Sequence, residues 1–390
     1  MLFNLLYPLH VHAGLHWLNV LRYTSTRTLL GMMTALSIAL LLGPWFIRRL
    51  QAMEVGEKVR EDGPRSHART AGTPTMGGSL TLLAIVTGTV LWCDLKNPFI
   101  WVALFITVGY GAIGFLDDFL KLTRTKQGLP GRVKLGLSFV IALIGLSVLF
   151  LVAYPEAVDP GQGDIRFRLA LPLVDFYKHP ITVGWSFASS LVLYLGLGMF
   201  VIAGSSHAVN LTDGLDGLAI GPVIVAAGAF LVLCYGAGAV IGDQHFNVAQ
   251  YLKIPFIPGS GELAIFCASI VGAGTGFLWY NAHPAEVFMG DVGALSLGGA
   301  LGTLAVITKN EFTLLILGGL FVAEAVSVML QVGWFKYTRR RYGEGRRIFL
   351  MTPLHHHFEK KGMAETKVVV RFWIVSFALA LLALGTLKVR

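Results

Sequence analysis

Apolar residues fill the chain in runs of about 20, the length that crosses a bilayer as a helix. Ten such runs can be marked, at 28–47, 76–93, 98–116, 133–154, 185–204, 217–241, 262–280, 293–308, 312–335 and 368–387. Charged residues collect mainly in the intervals, with Glu324, Gln331 and Arg371 the notable polar residues inside runs. The eighth run is short and Gly-rich, which blurs its ends. No internal repeat or low-complexity tract interrupts the pattern, so the expectation is a single transmembrane domain over residues 1–390, an all-α polytopic membrane protein of about ten helices. The composition, 55% hydrophobic against 14% charged, excludes an ordinary soluble domain.

Ten crossings put both termini on one side, and the loops after the first, third, fifth, seventh and ninth runs on the other. That second side carries roughly twice the Lys and Arg of the first, which makes it cytoplasmic by the positive-inside rule and both termini external. The richest loop, 336–367, holds Lys336, Arg339, Arg340, Arg341, Arg346 and Arg347. The net charge of +9 then belongs to loops beside anionic membrane lipids or an anionic substrate. No nucleic-acid partner is expected, because no basic run is interleaved with base-stacking residues. In the external loop 155–184, Phe167 to Val174 is rich in strand-forming residues and Pro155, Pro160, Gly161 and Gly163 supply turn signals, so a small β-hairpin is expected in that loop. Cys93, Cys234 and Cys267 lie in or at the edge of apolar runs, as small core residues rather than disulfide or metal partners. Residues 1–26 lack a basic segment followed by an apolar core, so no cleaved leader is expected, and an amphipathic interfacial segment explains His10, His12 and His16.

The candidate chemistry lies in three short acidic segments on the basic side. Asp117 and Asp118 end the third run; a charged side chain in the bilayer costs roughly 2.5–3.5 kcal/mol, and adjacent aspartates repel when partly buried. If the helix continues, Asp117 and Lys121 share a face. Asn210-Leu211-Thr212-Asp213-Gly214-Leu215-Asp216-Gly217-Leu218 follows the fifth run with no Lys or Arg; one helical turn would align Asp213 with Asp216. Asn281 to Gly293 again has acids and no base, with Asp291 at a helix start, where capping alone would also explain it. Gly72-Thr73-Pro74-Thr75-Met76-Gly77-Gly78 reads as a turn and helix start that Thr75 could cap. The last loop carries His355-His356-His357; three consecutive histidines converge poorly on one zinc, so contact with phosphate or a catalytic aspartate suits them better. Acids gathered at one surface, among basic loops and beside an apolar bundle, suggest Mg²⁺, a phosphate ester or diphosphate, and a lipid.

The segments GFLDDFLK, NLTDGLDGL, NAHPAEVFMGDVG and MTPLHHHFE, in this order, resemble those of the polyprenyl-phosphate N-acetylhexosamine-1-phosphate transferases over almost the whole chain. PLHHHFE and GTPTMGG resemble the branch that acts on UDP-N-acetylmuramoyl-pentapeptide. The resemblance implies a ten-helix homodimer in the bacterial inner membrane with periplasmic termini and a cytoplasmic active site. It implies a Mg²⁺-dependent reaction with undecaprenyl phosphate that gives lipid I and UMP. Asp117 would hold or deprotonate the lipid phosphate, Asp118 would organise the cleft, and Asp291 would bind Mg²⁺ directly with Asp117 and Asp118 beside it. Asn210, Asp213, Asp216, Leu218, Asn281, Phe288, Lys121 and Lys134 would contact substrate. Among these, Asp216, Leu218 and Phe288 would surround uridine, with Phe288 stacked on uracil. Asn281, Lys121 and Lys134 would meet the diphosphate, and His355, His356 and His357 would line the cleft. One position departs from the family: Thr70, beside Arg69, stands where a Lys is common. The alternatives are a sister transferase using UDP-N-acetylglucosamine and, from another class, a lipid flippase or transporter, which would place its acids through the middle of the runs.

Overall fold

A computed structural model describes residues 1–12, 14–53, 72–123, 128–154, 158–159, 163–179, 181–241 and 246–389; Arg69 and Thr70 lie outside them. Ten helices succeed one another: α1 (Thr24–Ala52), α2 (Gly78–Trp92), α3 (Pro98–Thr123), α4 (Gly131–Val148), α5 (Phe187–Thr212), α6 (Ile220–Gly238), α7 (Leu263–Asn281), α8 (Gly290–Ile307), α9 (Gly319–Tyr342) and α10 (Glu365–Val389). Among the described residues, nine helices are long and apolar enough to cross a membrane, α4 and α7 with short helical extensions. The tenth, α2, has 15 residues. It still runs from one end of the bundle to the other. At its start Gly78 N donates to Met289 O at the head of α8 (2.8 Å), and beyond its last turn Asp94 N donates to Glu262 at the head of α7 (2.9 Å). Asn4 Nδ2 donates to Asp94 Oδ1 (2.9 Å), so the amino terminus lies at that far end, and α10 starts at the opposite end beside Asp216 and runs back. Ten helices thus traverse the bundle, and α10 runs back towards the end at which the amino terminus lies.

The centre of the bundle is α8, every residue of which from Val292 to Ile307 is buried. It packs along α3 and α5, while α1 packs along α7. Small residues permit this closeness, as in other membrane helix pairs: a methyl group on Gly298 or Gly302 would press into the α5 backbone at Ser206 or Ile202. All three cysteines are buried and unpaired by disulfide.

Two expectations about elements change, the ninth run and the histidine segment, and one is kept. The ninth apolar run is two helices, Glu311–Leu317 and α9, separated by Gly318, and α9 continues to Tyr342, well past the last apolar residue of the run. Its cationic extension is solvated and needs no apolar partner, which is why an apolar count misses it. The return chain is then held back on α9, where Gln331 Oε1 accepts from Ile348 N (2.9 Å) and Phe349 N (3.0 Å). The expected small strand pairing in the external loop is present: Val158–Asp159 pairs with Gly163–Asp164, and Arg168–Leu169 pairs with Ile181–Thr182. The histidine segment includes a short helix, Leu354–Lys360.

Candidate active site

The third apolar run stays helical to Thr123, so Asp117 and Lys121 share a face as the spacing predicts, with Lys121 Nζ 2.7 Å from Asp117 Oδ2. Just before α4, Leu129 N donates to the same carboxylate at Asp117 Oδ1 (2.7 Å). This brings Lys134, in the first turns of α4, to 2.9 Å from Asp117 Oδ2. The third wall is the start of α8. Gly290 adopts a positive φ of 71°, and a side chain there would meet Asp118 Oδ2; glycine is the residue that accepts both demands. Val292 N then donates to Asp118 Oδ2 (3.3 Å), and Asp291 Oδ2 lies 2.9 Å from Lys121 Nζ and 2.6 Å from Lys134 Nζ. Asp291 sits inside the first turn rather than at the cap, which is Met289. The capping explanation for this aspartate therefore fails, and the same is true of Thr75, since Gly77 occupies the cap of α2.

Three carboxylates and two ammonium groups thus meet at one end of the bundle, from residues up to 174 positions apart. One oxygen from each of Asp117, Asp118 and Asp291 lies within 4.8 Å of the others. Asp117 and Asp118 are buried, whereas Asp291 and Lys121 keep side-chain exposures of 14% and 37%, so the group opens to one side. Its net charge is negative and its donors are hard oxygens, the set that suits Mg²⁺ rather than a softer metal. Lys121 and Lys134 offset the three carboxylates only in part, and a divalent cation would complete the balance.

A second group forms around Asp216. The helix α5 ends at Thr212 with Asp213 in a non-helical conformation (ψ 60°), so Asp213 and Asp216 do not share a helical face as their spacing suggested. The glycines after each aspartate let the chain leave the helix, and the turn is held from elsewhere. Asp216 Oδ2 accepts from His283 Nδ1 (2.9 Å) and Ala285 N (3.1 Å), and Asp216 N donates to Glu365 Oε1 (3.3 Å). Gly217 N donates to Asn281 Oδ1 (3.1 Å), Asn281 Nδ2 donates to Val287 O (2.9 Å), and Trp373 Nε1 donates to Gly217 O (3.1 Å). His283 lies within the NAHPAEVFMGDVG segment but nothing there singles it out, and Glu365 and Trp373 carry no signal beyond their residue types, because the partners of all three are remote in the chain.

The remaining expected residues are placed as follows. Asn210 is in the last turn of α5 and, like Asp213, is half-buried. Leu218 is fully buried in an apolar cluster with Leu215, Leu320, Val368, Val369 and Phe372. Phe288 is half-buried and fixed through its backbone, with its N–H donating to Pro74 O and its carbonyl accepting from Gly77 N (2.8 Å each). The loop 282–289 therefore links the Asp216 group to the aspartate–lysine group. The histidines diverge. His355 is fully buried, its ring against Gly214 and Glu324, and burial holds its pKa below the ordinary histidine value while the Glu324 carboxylate opposes that shift. Glu324 accepts from Leu354 N (2.6 Å) and His355 N (3.2 Å), so this intramembrane acid caps the histidine helix. His356 Nδ1 pairs with Glu359 Oε2 (2.8 Å), and His357 Nδ1 accepts from Leu350 N (3.1 Å).

Residues 100–309, which contain all three aspartates of the first group, match the glycosyl transferase family 4 profile. Full-length relatives are closer still. The phospho-N-acetylmuramoyl-pentapeptide-transferases of Sorangium cellulosum (strain So ce56), Syntrophus aciditrophicus (strain SB) and Geobacter sp. (strain M21) are 52%, 50% and 50% identical to this chain, with 100% of both chains covered in each case. The chain belongs to glycosyl transferase family 4 and, within it, to the phospho-N-acetylmuramoyl-pentapeptide-transferases. It is a multi-pass membrane transferase of peptidoglycan synthesis.

Proposed function

We propose that the protein transfers phospho-N-acetylmuramoyl-pentapeptide from its UDP conjugate to undecaprenyl phosphate, giving lipid I and UMP, at the cytoplasmic face of the bacterial inner membrane. The observation that carries this reading is the meeting of Asp117, Asp118 and Asp291 with Lys121 and Lys134 at one end of an apolar bundle. A phosphate oxygen of the lipid attacks the β-phosphorus; the bond from that phosphorus to the bridging oxygen breaks, and UMP leaves. The lipid phosphate is already anionic near neutral pH, so positioning and charge neutralisation carry more of the barrier than proton removal. Mg²⁺ held by Asp291, with Asp117 and Asp118 beside it, would supply neutralisation of the diphosphate. Lys121 and Lys134 stand where they can pass from carboxylate to phosphate oxygens, and Asp117 orients the lipid phosphate or accepts its remaining proton. Asn210, Asp213, Asp216, Asn281 and Phe288 bound the nucleotide side. His356 and His357 lie nearer the solvent than His355, which supports the turn at Gly214 from below. A homodimer is part of the same reading by family resemblance.

The test is UMP release by the purified chain from UDP-N-acetylmuramoyl-pentapeptide with undecaprenyl phosphate, with and without Mg²⁺, against UDP-N-acetylglucosamine as the competing donor. Release from the first donor alone, and only with Mg²⁺, is expected; release from the second alone would assign the sister reaction. Inversion at the transferred phosphorus is the expected stereochemistry, and retention would replace direct attack by a covalent aspartyl intermediate.

A further inference from the structure

The turn that carries Asp216 has no helical ladder of its own, and Asp216 is buried to 5% exposure. A buried carboxylate needs fixed donors. Two of its hydrogen bonds come from the α7–α8 loop, through His283 Nδ1 and Ala285 N, and its own N–H is taken by Glu365 in the first turn of α10. Glu365 Oε1 also lies 3.8 Å from His283 Nδ1, so one imidazole stands between two carboxylates. Without it, Asp216 and Glu365 would face each other as like charges across a partly buried gap, and the turn would be pushed outward. Asp216 Oδ2, His283 Nδ1 and Glu365 Oε1 thus form a clasp across the turn. His283 itself is 41% exposed at its side chain and stands at the rim of the group.

We propose that His283, supported by Glu365, is a positioning residue for the nucleotide half of the substrate: it orients the Asp216 carboxylate and holds the 213–217 turn in its binding conformation. This rests on the reading that Asp216 borders the uridine. It assigns a role to two residues that act through Asp216 and do not touch the reacting phosphorus. Because the clasp lies on the nucleotide side and not among Asp117, Asp118 and Asp291, it governs nucleotide affinity and leaves the chemical step and the lipid site alone.

The experiment uses the full-length chain in lipid nanodiscs with Mg²⁺. It measures kcat, KM for UDP-N-acetylmuramoyl-pentapeptide, KM for undecaprenyl phosphate, equilibrium affinity for UMP, and thermal midpoint. His283→Ala is expected to raise the nucleotide KM and weaken UMP by about tenfold or more, the size of a lost hydrogen bond to a charged group. Its kcat and lipid KM stay within about twofold of the parent chain. His283→Asn, whose amide can donate in place of Nδ1, is expected to recover most of the affinity, and Glu365→Gln to show a smaller loss than His283→Ala. Parent-like UMP affinity in His283→Ala overturns the proposal. So does an equal loss in kcat and both KM values with a lowered midpoint, which is the signature of a merely structural brace. A His283→Asn chain as impaired as His283→Ala also overturns it. If the parent chain binds UMP but turns over neither donor, the reaction assigned above fails, while the UMP affinities still decide the role of His283.

Discussion

Both ends of the bundle bury charge, and they do so differently. At the far end Arg27 meets Glu262 with two parallel hydrogen bonds (2.7 and 2.6 Å), under the ring of Phe3. Lys309, fully buried, donates to Arg166 O (2.6 Å) and points its ammonium at the rings of Tyr194, Phe150 and Tyr154 from 4.0, 5.1 and 5.4 Å. Tyr194 in turn donates to the buried Glu311. Each cation there has its own carboxylate, carbonyl or aromatic face, and the groups are closed off by side chains. At the site end three carboxylates share two lysines, and the group stays open on one side. Balanced, sealed charge fixes a structure; unbalanced, accessible charge keeps a binding demand.

The contrast can be broken at its strongest point by Asp291→Asn, which is expected to lower Mg²⁺-dependent UMP release by at least about a hundredfold, as for other lost charge-stabilising groups, with the thermal midpoint little changed. Turnover at the parent level would remove Asp291 from the metal site. Next comes Gly114→Ala, where a methyl group would sit on the Asp291 carbonyl and force α3 from α8; misplacement of the paired aspartates is expected to cost kcat on the order of a hundredfold. An unchanged kcat would show that the spacing of the two helices is not critical. At the far end Lys309→Met should do the reverse: loss of one partner of a buried charged group costs about 3 kcal/mol of stability, read as a lower thermal midpoint, with kcat and both KM values unchanged. A kcat that falls with stability intact would make the far end part of the catalytic machinery. The smallest effect concerns His355. Its lowered pKa means that the unfolded chain takes a proton more readily than the folded one. Its contribution is whole above the ordinary histidine value of about 6.5 and is lost as pH falls from there through the lower folded value. The midpoint should therefore drop between pH 7 and pH 5 more steeply in the parent than in His355→Gln; equal slopes would place the titration elsewhere.

The order of the helices was legible because burial in lipid requires long apolar runs, and the aspartate–lysine group because acids in such a setting need a reason. Asp117 and Lys121 could be paired from spacing alone, since the helix continues. Asp213 and Asp216 could not, because a helix and a glycine turn share that spacing and only the contacts from Asn281, His283 and Glu365 decide between them. The same limit hid the break at Gly318, the partner strand at Ile181–Thr182 and the burial of His355, each settled by residues far away in the chain.

The 15 residues of α2 rise about 22 Å, short of the roughly 30 Å of hydrocarbon in a typical bilayer, yet this helix reaches both ends of the bundle. A bilayer of that thickness beside it would thin locally, or flanking side chains would reach out to make up the difference. One end of α2 lies at the head of α8, where Gly78 and Met289 are joined, next to Asp291. Thinning at that end would bring an anionic lipid head towards the depth of the aspartates, so the length of one short helix would set how far the two must travel to meet.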